Sequence, residues 1–150
     1  MKYVRGYVNS RRIPDKRALF IEISGCKQGC EKCKNISRCG EEGQELTESV
    51  MTETLKTFGK TIDCVCFVGG ENYSIELKNL CKQVHKSGLE TSLSTVLDPS
   101  SIGKQLTDEL DYLLTGRCDS EQSALKRDYC PFADTYDWVE AKTRTLTHEN

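Results

Sequence analysis

Four short apolar runs along the chain have the length and composition of buried β-strands. They are residues 19–24 (LFIEIS), 63–68 (DCVCFV), 91–96 (TSLSTV) and 111–115 (DYLLT). The first run ends at Gly25 and the second at the pair Gly69 and Gly70, which favour a tight turn after a strand. The pattern therefore predicts four strands, each followed by a loop.

Apolar residues recur at helical spacing between successive runs. One helix face comprises Leu46, Val50, Met51, Leu55 and Phe58, and a second comprises Leu77, Leu80, Cys81 and Val84. Thr47 is placed to cap the first helix, which stops at Gly59. The second helix lies between Ser74 and Gly88, and a weaker helical pattern covers residues 100–110.

Strands that alternate with helices indicate a parallel sheet whose crossover connections are right-handed. A closed eight-stranded barrel typically needs about 250 residues, and this chain has 150. We therefore predict an α/β fold with a mostly parallel sheet, in the form of an open partial (βα) barrel. Residues 1–150 form a single domain in this interpretation. The pattern fades from about residue 118, and Trp138 is the aromatic anchor of the polar segment that ends the chain.

Polar or glycine-containing segments follow all four predicted strands. They are the cysteine-rich segment after Gly25, then Gly69-Gly70-Glu71, Ser94-Thr95 and Thr115-Gly116-Arg117. Because the carboxyl ends of parallel strands meet at one edge of the sheet, ligands bind at that edge. We therefore expect one site, built by four loops.

Charge and hydropathy argue against two classes of partner. The formal net charge is -2 and acidic and basic residues are interspersed, so no basic face predicts nucleic-acid binding. No apolar run approaches the roughly 18 residues of a membrane span, and the N-terminal segment lacks the apolar core of a secretory signal. We expect a cytoplasmic protein that binds neither nucleic acid nor membrane.

Cysteine usage points to metal chemistry. The chain has nine cysteines, an odd number that does not suit a disulfide framework, and Cys26, Cys30 and Cys33 lie close together in the first predicted loop. Three thiolates in a short loop suit a cubane iron-sulfur cluster and leave its fourth iron open for a small molecule. Zinc is the alternative, and it would need a fourth protein ligand, for which Cys39 is near enough in sequence.

The other cysteines and the histidine of the second helix are interpreted differently. Cys64, Cys66 and Cys81 fall on predicted core faces, where a free cysteine packs as a small hydrophobe. Core packing is favoured over metal ligation for these three. Cys118 and Cys130 could hold a second metal together with Cys39, although the scattered spacing does not favour it. His85 lies on a predicted helix away from the expected site, and we expect it to be solvated rather than catalytic.

Several of these motifs together resemble the radical S-adenosylmethionine (SAM) superfamily. The Cys-x3-Cys-x2-Cys spacing after the first core strand is that superfamily's signature, and Gly69-Gly70-Glu71 is similar to its GGE motif. Residues 20–35 (FIEISGCKQGCEKCKN) and 111–117 (DYLLTGR) resemble the activating proteins of anaerobic ribonucleoside-triphosphate reductase, and Arg17 falls near their upstream arginine. The resemblance covers roughly residues 17–117, with Asn72 standing where the superfamily usually has proline.

The resemblance implies an oxidoreductase that works anaerobically with one 4Fe-4S cluster per chain and with SAM. The cluster would be held by Cys26, Cys30 and Cys33. Cofactor-binding residues would be Gly69, Gly70 and Glu71 at the methionine end of SAM, and Ser94 and Thr95 at its ribose. Each of these residues also has an interpretation without a ligand. Gly69 and Gly70 could form only a tight turn, Glu71 could be a solvated carboxylate, and Ser94 and Thr95 could be ordinary strand-end residues.

The resemblance also implies a reaction and two protein partners. Reductive cleavage of SAM would generate a glycyl radical on an anaerobic ribonucleotide reductase, with a flavodoxin-type protein as electron donor, and Arg117 could contact a carboxylate or the partner enzyme. The alternatives are a radical SAM enzyme acting on another protein or a small molecule, and a non-catalytic iron-sulfur or zinc module. A fourth protein ligand on the metal would identify the module.

Overall fold

Seven β-strands form one sheet in the computed structural model, which describes residues 1–13, 15–25, 40–97, 99–115 and 137–140. The strands are β1 (Lys2–Asn9), β2 (Ala18–Ile23), β3 (Gln44–Glu45), β4 (Cys64–Val68), β5 (Glu90–Thr95), β6 (Tyr112–Thr115) and β7 (Asp137–Glu140). Their order across the sheet is β3-β1-β2-β4-β5-β6-β7. The central strands β2, β4, β5 and β6 are parallel, whereas β1, β3 and β7 pair antiparallel to their neighbours.

Three α-helices connect the parallel strands in the described ranges. They are α1 (Glu48–Phe58), α2 (Ser74–Lys86) and the single turn α3 (Lys104–Thr107), with short 3-10 segments at Glu71–Tyr73 and Pro99–Ser101. Thr47 caps α1 as the sequence predicts, because its side-chain oxygen accepts a hydrogen bond from the Val50 backbone N–H at 3.2 Å. The predicted helix 100–110 is much shorter than expected, since Gly103 has an extended ψ of 138° that interrupts it.

The four predicted strands are all present, each within two residues of the expected bounds. Three further strands, β1, β3 and β7, were not predicted, and β3 is only two residues long. β1 has no clear strand pattern in the sequence, because it is half exposed and mixes Arg5 and Gly6 with apolar residues. Its stability comes from pairing with β2. β7 lies in the segment for which the sequence offered only Trp138 as an anchor. None of the described helices is long and apolar enough to span a membrane.

The order of the parallel strands places the helices on one face of the sheet. β2, β4, β5 and β6 follow one another in sequence order, without the reversal that marks a doubly wound sheet. Right-handed crossovers then put every connecting helix on the same side. One apolar cluster of the described residues accordingly joins this sheet face to the helices, through residues such as Phe67, Leu77 and Leu93.

The opposite face, which we call the inner face, carries a separate apolar cluster that contains no helix residue from the described ranges. Strand register arranges this face in rows. One row contains Phe20, Cys66, Ser92 and Tyr112, and the next row toward the carboxyl ends contains Glu22, Val68, Ser94 and Leu114. Helices on one face and an inner face on the other suit a partial barrel. Closure of the sheet into such a barrel stays a prediction, because β3 and β7 are its unpaired edges within the described ranges.

A buried arginine packs over part of the inner face from the segment that joins β1 to β2. Arg12 is 7% exposed, and its guanidinium lies 5.0 Å from the centre of the Phe20 ring. It also donates a hydrogen bond to the Tyr7 hydroxyl at 2.6 Å, and the Tyr7 and Phe20 rings stack with their centres 5.6 Å apart. Cation–π contacts of this kind compensate for the desolvation of the charge.

Candidate functional site

The carboxyl ends of the parallel strands meet at one edge of the sheet, which we call the carboxyl edge. Gly25 follows β2, Gly69 and Gly70 follow β4, and Thr95 ends β5 at this edge. Thr115, which ends β6, is in register with Thr95, so the structure brings together the described starts of all four predicted loops. Cys26, Cys30, Cys33, Gly116 and Arg117 lie outside the described residues.

The root of the cysteine loop is fixed at the carboxyl edge. The Gly25 N–H donates a hydrogen bond to the Gly40 carbonyl at 2.7 Å, so the residues that flank the segment 26–39 meet at one point. Gly25 has a φ of +78°, and a Cβ there would lie 2.7 Å from the Tyr73 hydroxyl oxygen. Glycine is therefore required immediately before Cys26, both for its backbone conformation and for the close approach of Tyr73.

The turn after β4 also depends on glycine. Gly69 and Gly70 have φ values of +82° and +95°, and a Cβ on Gly70 would lie 3.3 Å from Ile23 Cγ1 at the end of β2. The Asn72 side-chain amide donates to the Gly25 carbonyl at 3.4 Å. This turn and the root of the cysteine loop are therefore neighbours. A tight turn alone accounts for both glycines, and contact with SAM stays a prediction.

The remaining predicted binding residues occupy different positions at this edge. Ser94 and Thr95 are each 1% exposed, and Ser94 lies on the inner face in the row of Glu22. The Thr95 hydroxyl oxygen accepts a hydrogen bond from the Leu97 N–H at 3.0 Å and so holds the turn after β5. Glu71 is partly buried and begins the 3-10 segment that leads into α2. Their contacts with ribose or methionine stay predictions.

The cysteines of the sheet and of α2 are buried free thiols, which confirms the predicted core packing of Cys64, Cys66 and Cys81. Burial raises the pKa of the Cys64 thiol well above its usual range, and burial likewise raises the pKa of the Cys81 thiol. Within the described ranges, no group of three or more metal-ligating side chains could hold a metal ion. Cys39, Cys118 and Cys130 lie outside those ranges.

Iodoacetamide in mildly alkaline buffer should leave Cys64 and Cys81 unmodified in the native protein. The reagent attacks the thiolate, and burial both raises the pKa of these thiols and blocks access to them. After unfolding in guanidinium chloride, both should be carbamidomethylated, as peptide mass spectrometry would record. Equal modification of either cysteine before and after unfolding would contradict the buried placement.

Two residues singled out from the sequence lie at the opposite, amino edge of the sheet. His85 is 30% exposed and lies away from the expected site, as predicted, and its Nε2 also lies 2.9 Å from Asp111 Oδ2, a contact that was not predicted. The Thr91 backbone N–H donates to the same carboxylate oxygen at 2.9 Å, so this cluster ties α2 to the start of β5. Arg17 is exposed next to β2, and its backbone N–H donates to Asp63 at 3.0 Å. Neither residue reaches the carboxyl edge.

Glu22 is a buried carboxylate that the sequence interpretation passed over. It is 1% exposed, and its Oε2 accepts a hydrogen bond from Arg5 Nε at 2.8 Å. Its Oε1 has no hydrogen-bond partner in the described part of the chain. Leaving a buried polar atom unpaired costs about 1–3 kcal/mol. The signal was present in the sequence, because an acid interrupts the otherwise apolar strand β2.

No protein-family model matches this chain, and a search of curated proteins gives no match either.

Proposed function

We propose that the chain is a cytoplasmic radical SAM protein of one domain, in which Cys26, Cys30 and Cys33 ligate one 4Fe-4S cluster at the carboxyl edge. The observation that carries this proposal is the link between the two motifs. The segment with the three cysteines follows Gly25, whose carbonyl accepts a hydrogen bond from Asn72 and where a Cβ would clash with Tyr73, just beyond the Gly69-Gly70 turn. A cofactor held by the first motif and a ligand held by the second would therefore be within reach of one another.

The donor set that the sequence supplies suits the cluster. Three thiolates in one short loop supply three of four iron ligands and leave the last position to a small molecule. When bound and reduced, the cluster supplies the electron that breaks the C5′–S bond of SAM, giving methionine and a 5′-deoxyadenosyl radical.

The chain's own residues would bind and orient SAM. Gly69 and Gly70 have no side chain to hinder the approach of the methionine end to their backbone, and Glu71, the next residue, would accept a hydrogen bond from the methionine amino group. Ser94 and Thr95 lie at the end of the neighbouring strand β5, and we assign the ribose to this position. The apolar inner face would keep water from the reactive carbon.

The substrate that we propose is the glycine of a glycyl-radical enzyme, an anaerobic ribonucleotide reductase, with a flavodoxin-type protein as electron donor. The described sheet has only four parallel strands, so it supplies little cover of its own for the carboxyl edge. A loop of a partner protein inserted at this edge would complete the site and exclude water at the same time.

The proposed function is tested by SAM cleavage. Anaerobically reconstituted protein with dithionite should release 5′-deoxyadenosine and methionine, measured by liquid chromatography. Gly70→Val should weaken SAM binding roughly tenfold or more while the cluster is retained, because a side chain there would crowd both Ile23 and the ligand's approach. Gly70→Ala provides a milder variant should the valine destabilise the fold.

Gly88→Val is the matched control for backbone strain. Gly88 also has a positive φ, +82°, but it lies beyond α2 near the amino edge, and a Cβ there meets nothing within 4 Å. It should therefore show the backbone strain of a positive φ without the crowding at Ile23, and it should bind SAM like the wild type. Equal SAM binding by all variants would reduce the Gly69-Gly70 motif to a turn. No cleavage of SAM by iron-loaded wild type would refute the proposed function.

A further inference from the structure

We propose that Glu22 is a ligand-binding residue whose free carboxylate oxygen accepts a hydrogen bond from the nucleoside half of SAM. The inference rests on the proposed function and adds a residue that none of the motifs contains. Its basis is one unpartnered, fully buried oxygen on the inner face, directly beneath the carboxyl edge.

Strand register places Glu22 at this position. It lies opposite Arg5 of β1 on one side and Val68 of β4 on the other, in the row that also contains Ser94. Phe20, two residues earlier in the same strand, belongs to the apolar cluster of the inner face, and side chains alternate between the two faces of a strand. Glu22 therefore belongs to the inner face, in its last row before Gly25 and the cysteine loop.

The two oxygens of Glu22 have different surroundings. Oε2 accepts from Arg5 Nε at 2.8 Å, and the Arg5 guanidinium also lies 5.1 Å from the centre of the Tyr7 ring. Oε1 has no partner within the described ranges. Arg5 thus neutralises and orients the carboxylate while leaving one acceptor open. Buried polar atoms are nearly always hydrogen-bonded, so an open acceptor on this face favours a donor that arrives with a ligand.

The row that contains Glu22 and Ser94 indicates which part of SAM these residues would face. The methionine end of SAM is assigned to the turn at Gly70 and Glu71, above the strand ends. Glu22 and Ser94 lie one row farther in, so they would face the part of the molecule that extends inward. The donors of that part are the ribose hydroxyls and the adenine amine, and either could fill the free acceptor of Glu22.

A structural role for Glu22 makes the opposite prediction from a ligand-binding role. Arg5 is 58% exposed, so its ion pair with Glu22 is partly screened by water and contributes little to the stability of the fold. Glu22→Met retains the length of the side chain and removes the unpaired oxygen. We therefore expect the ligand-free variant to unfold at the same temperature as the wild type or at a higher one.

The same variant should bind SAM and 5′-deoxyadenosine at least roughly tenfold more weakly than the wild type, measured anaerobically by isothermal titration calorimetry. Glu22→Gln retains an oxygen acceptor and should lose less affinity. Glu53→Met, an exposed acid of α1 that lies in an ion pair with Lys56, is the control for removal of a negative charge and should bind both probes normally.

The outcomes separate this inference from the proposed function. If wild type and Glu22→Met bind both probes equally, or if the variant loses thermal stability and retains its affinity, Glu22 is structural and the inference is wrong while the proposed function stands. If iron-loaded wild type binds neither SAM nor 5′-deoxyadenosine, the inference about Glu22 and the proposed function are both wrong. Weaker binding with unchanged stability supports the assignment.

Discussion

Alanine in place of Cys26, Cys30 or Cys33 should remove the iron-sulfur cluster and abolish SAM cleavage. The wild type, reconstituted without oxygen, should carry about four irons and four sulfides per chain. Each substitution would leave only two protein ligands for a cluster that already has one open iron. Iron and sulfide analysis with absorption spectroscopy measures the loss, and chromatography of 5′-deoxyadenosine measures the activity.

Cys64→Ala and Cys81→Ala are the matched controls, because they also remove one thiol each. Both cysteines are buried in the core, so their replacement should cost about 1 kcal/mol of stability and leave the iron content unchanged. Cys39→Ala tests the alternative metal. A wild type that binds one zinc and no iron, and loses it in Cys39→Ala, would identify a four-ligand binding module and overturn the cluster assignment.

A glycyl-radical doublet should appear in the electron paramagnetic resonance spectrum when reduced protein, SAM and an anaerobic ribonucleotide reductase are mixed without oxygen. The 5′-deoxyadenosyl radical would take a hydrogen atom from the partner's glycine, giving 5′-deoxyadenosine and the glycyl radical. The two products should therefore form in roughly equal amounts, as one hydrogen transfer requires.

The glycyl-radical experiment has two negative controls and one outcome that would contradict the activase assignment. Mixtures without SAM, or with Cys30→Ala in place of the wild type, should give no doublet. If no glycyl-radical enzyme acquires a radical while a small metabolite is turned over, the activase assignment is wrong. The broader radical SAM assignment would then remain.

The fold was predictable where its signals are local. Residues 63–68 form an apolar run bounded by polar and glycine residues, and Thr47 stands at the start of a helical repeat, so strand and cap both follow from neighbouring residues. β1 was not predictable in this way. Its register, with Tyr7 opposite Phe20, is set by a partner strand that follows a separate connecting segment.

The residues of the candidate site likewise differ in whether a local sequence signal identifies them. Gly69 and Gly70 were identified from sequence because a pair of glycines after a strand is itself the signal. The pairing of Glu22 with Arg5 and that of His85 with Asp111 join side chains on different elements, at separations of 17 and 26 residues. Periodicity within one element carries no information about such pairs, so only the folded arrangement identifies them.

The hydrogen bond between Gly25 and Gly40 has a consequence for the order of assembly. Bringing the ends of a loop together costs conformational entropy. Here the residues on either side of the segment 26–39 are already joined by a backbone hydrogen bond in the folded sheet, so this entropy is lost when the chain folds. A metal arriving at the loop would not have to draw distant parts of the chain together. If the loop holds the proposed cluster, the polypeptide would fold first, and the cluster would then be transferred to a chain whose sheet is already complete.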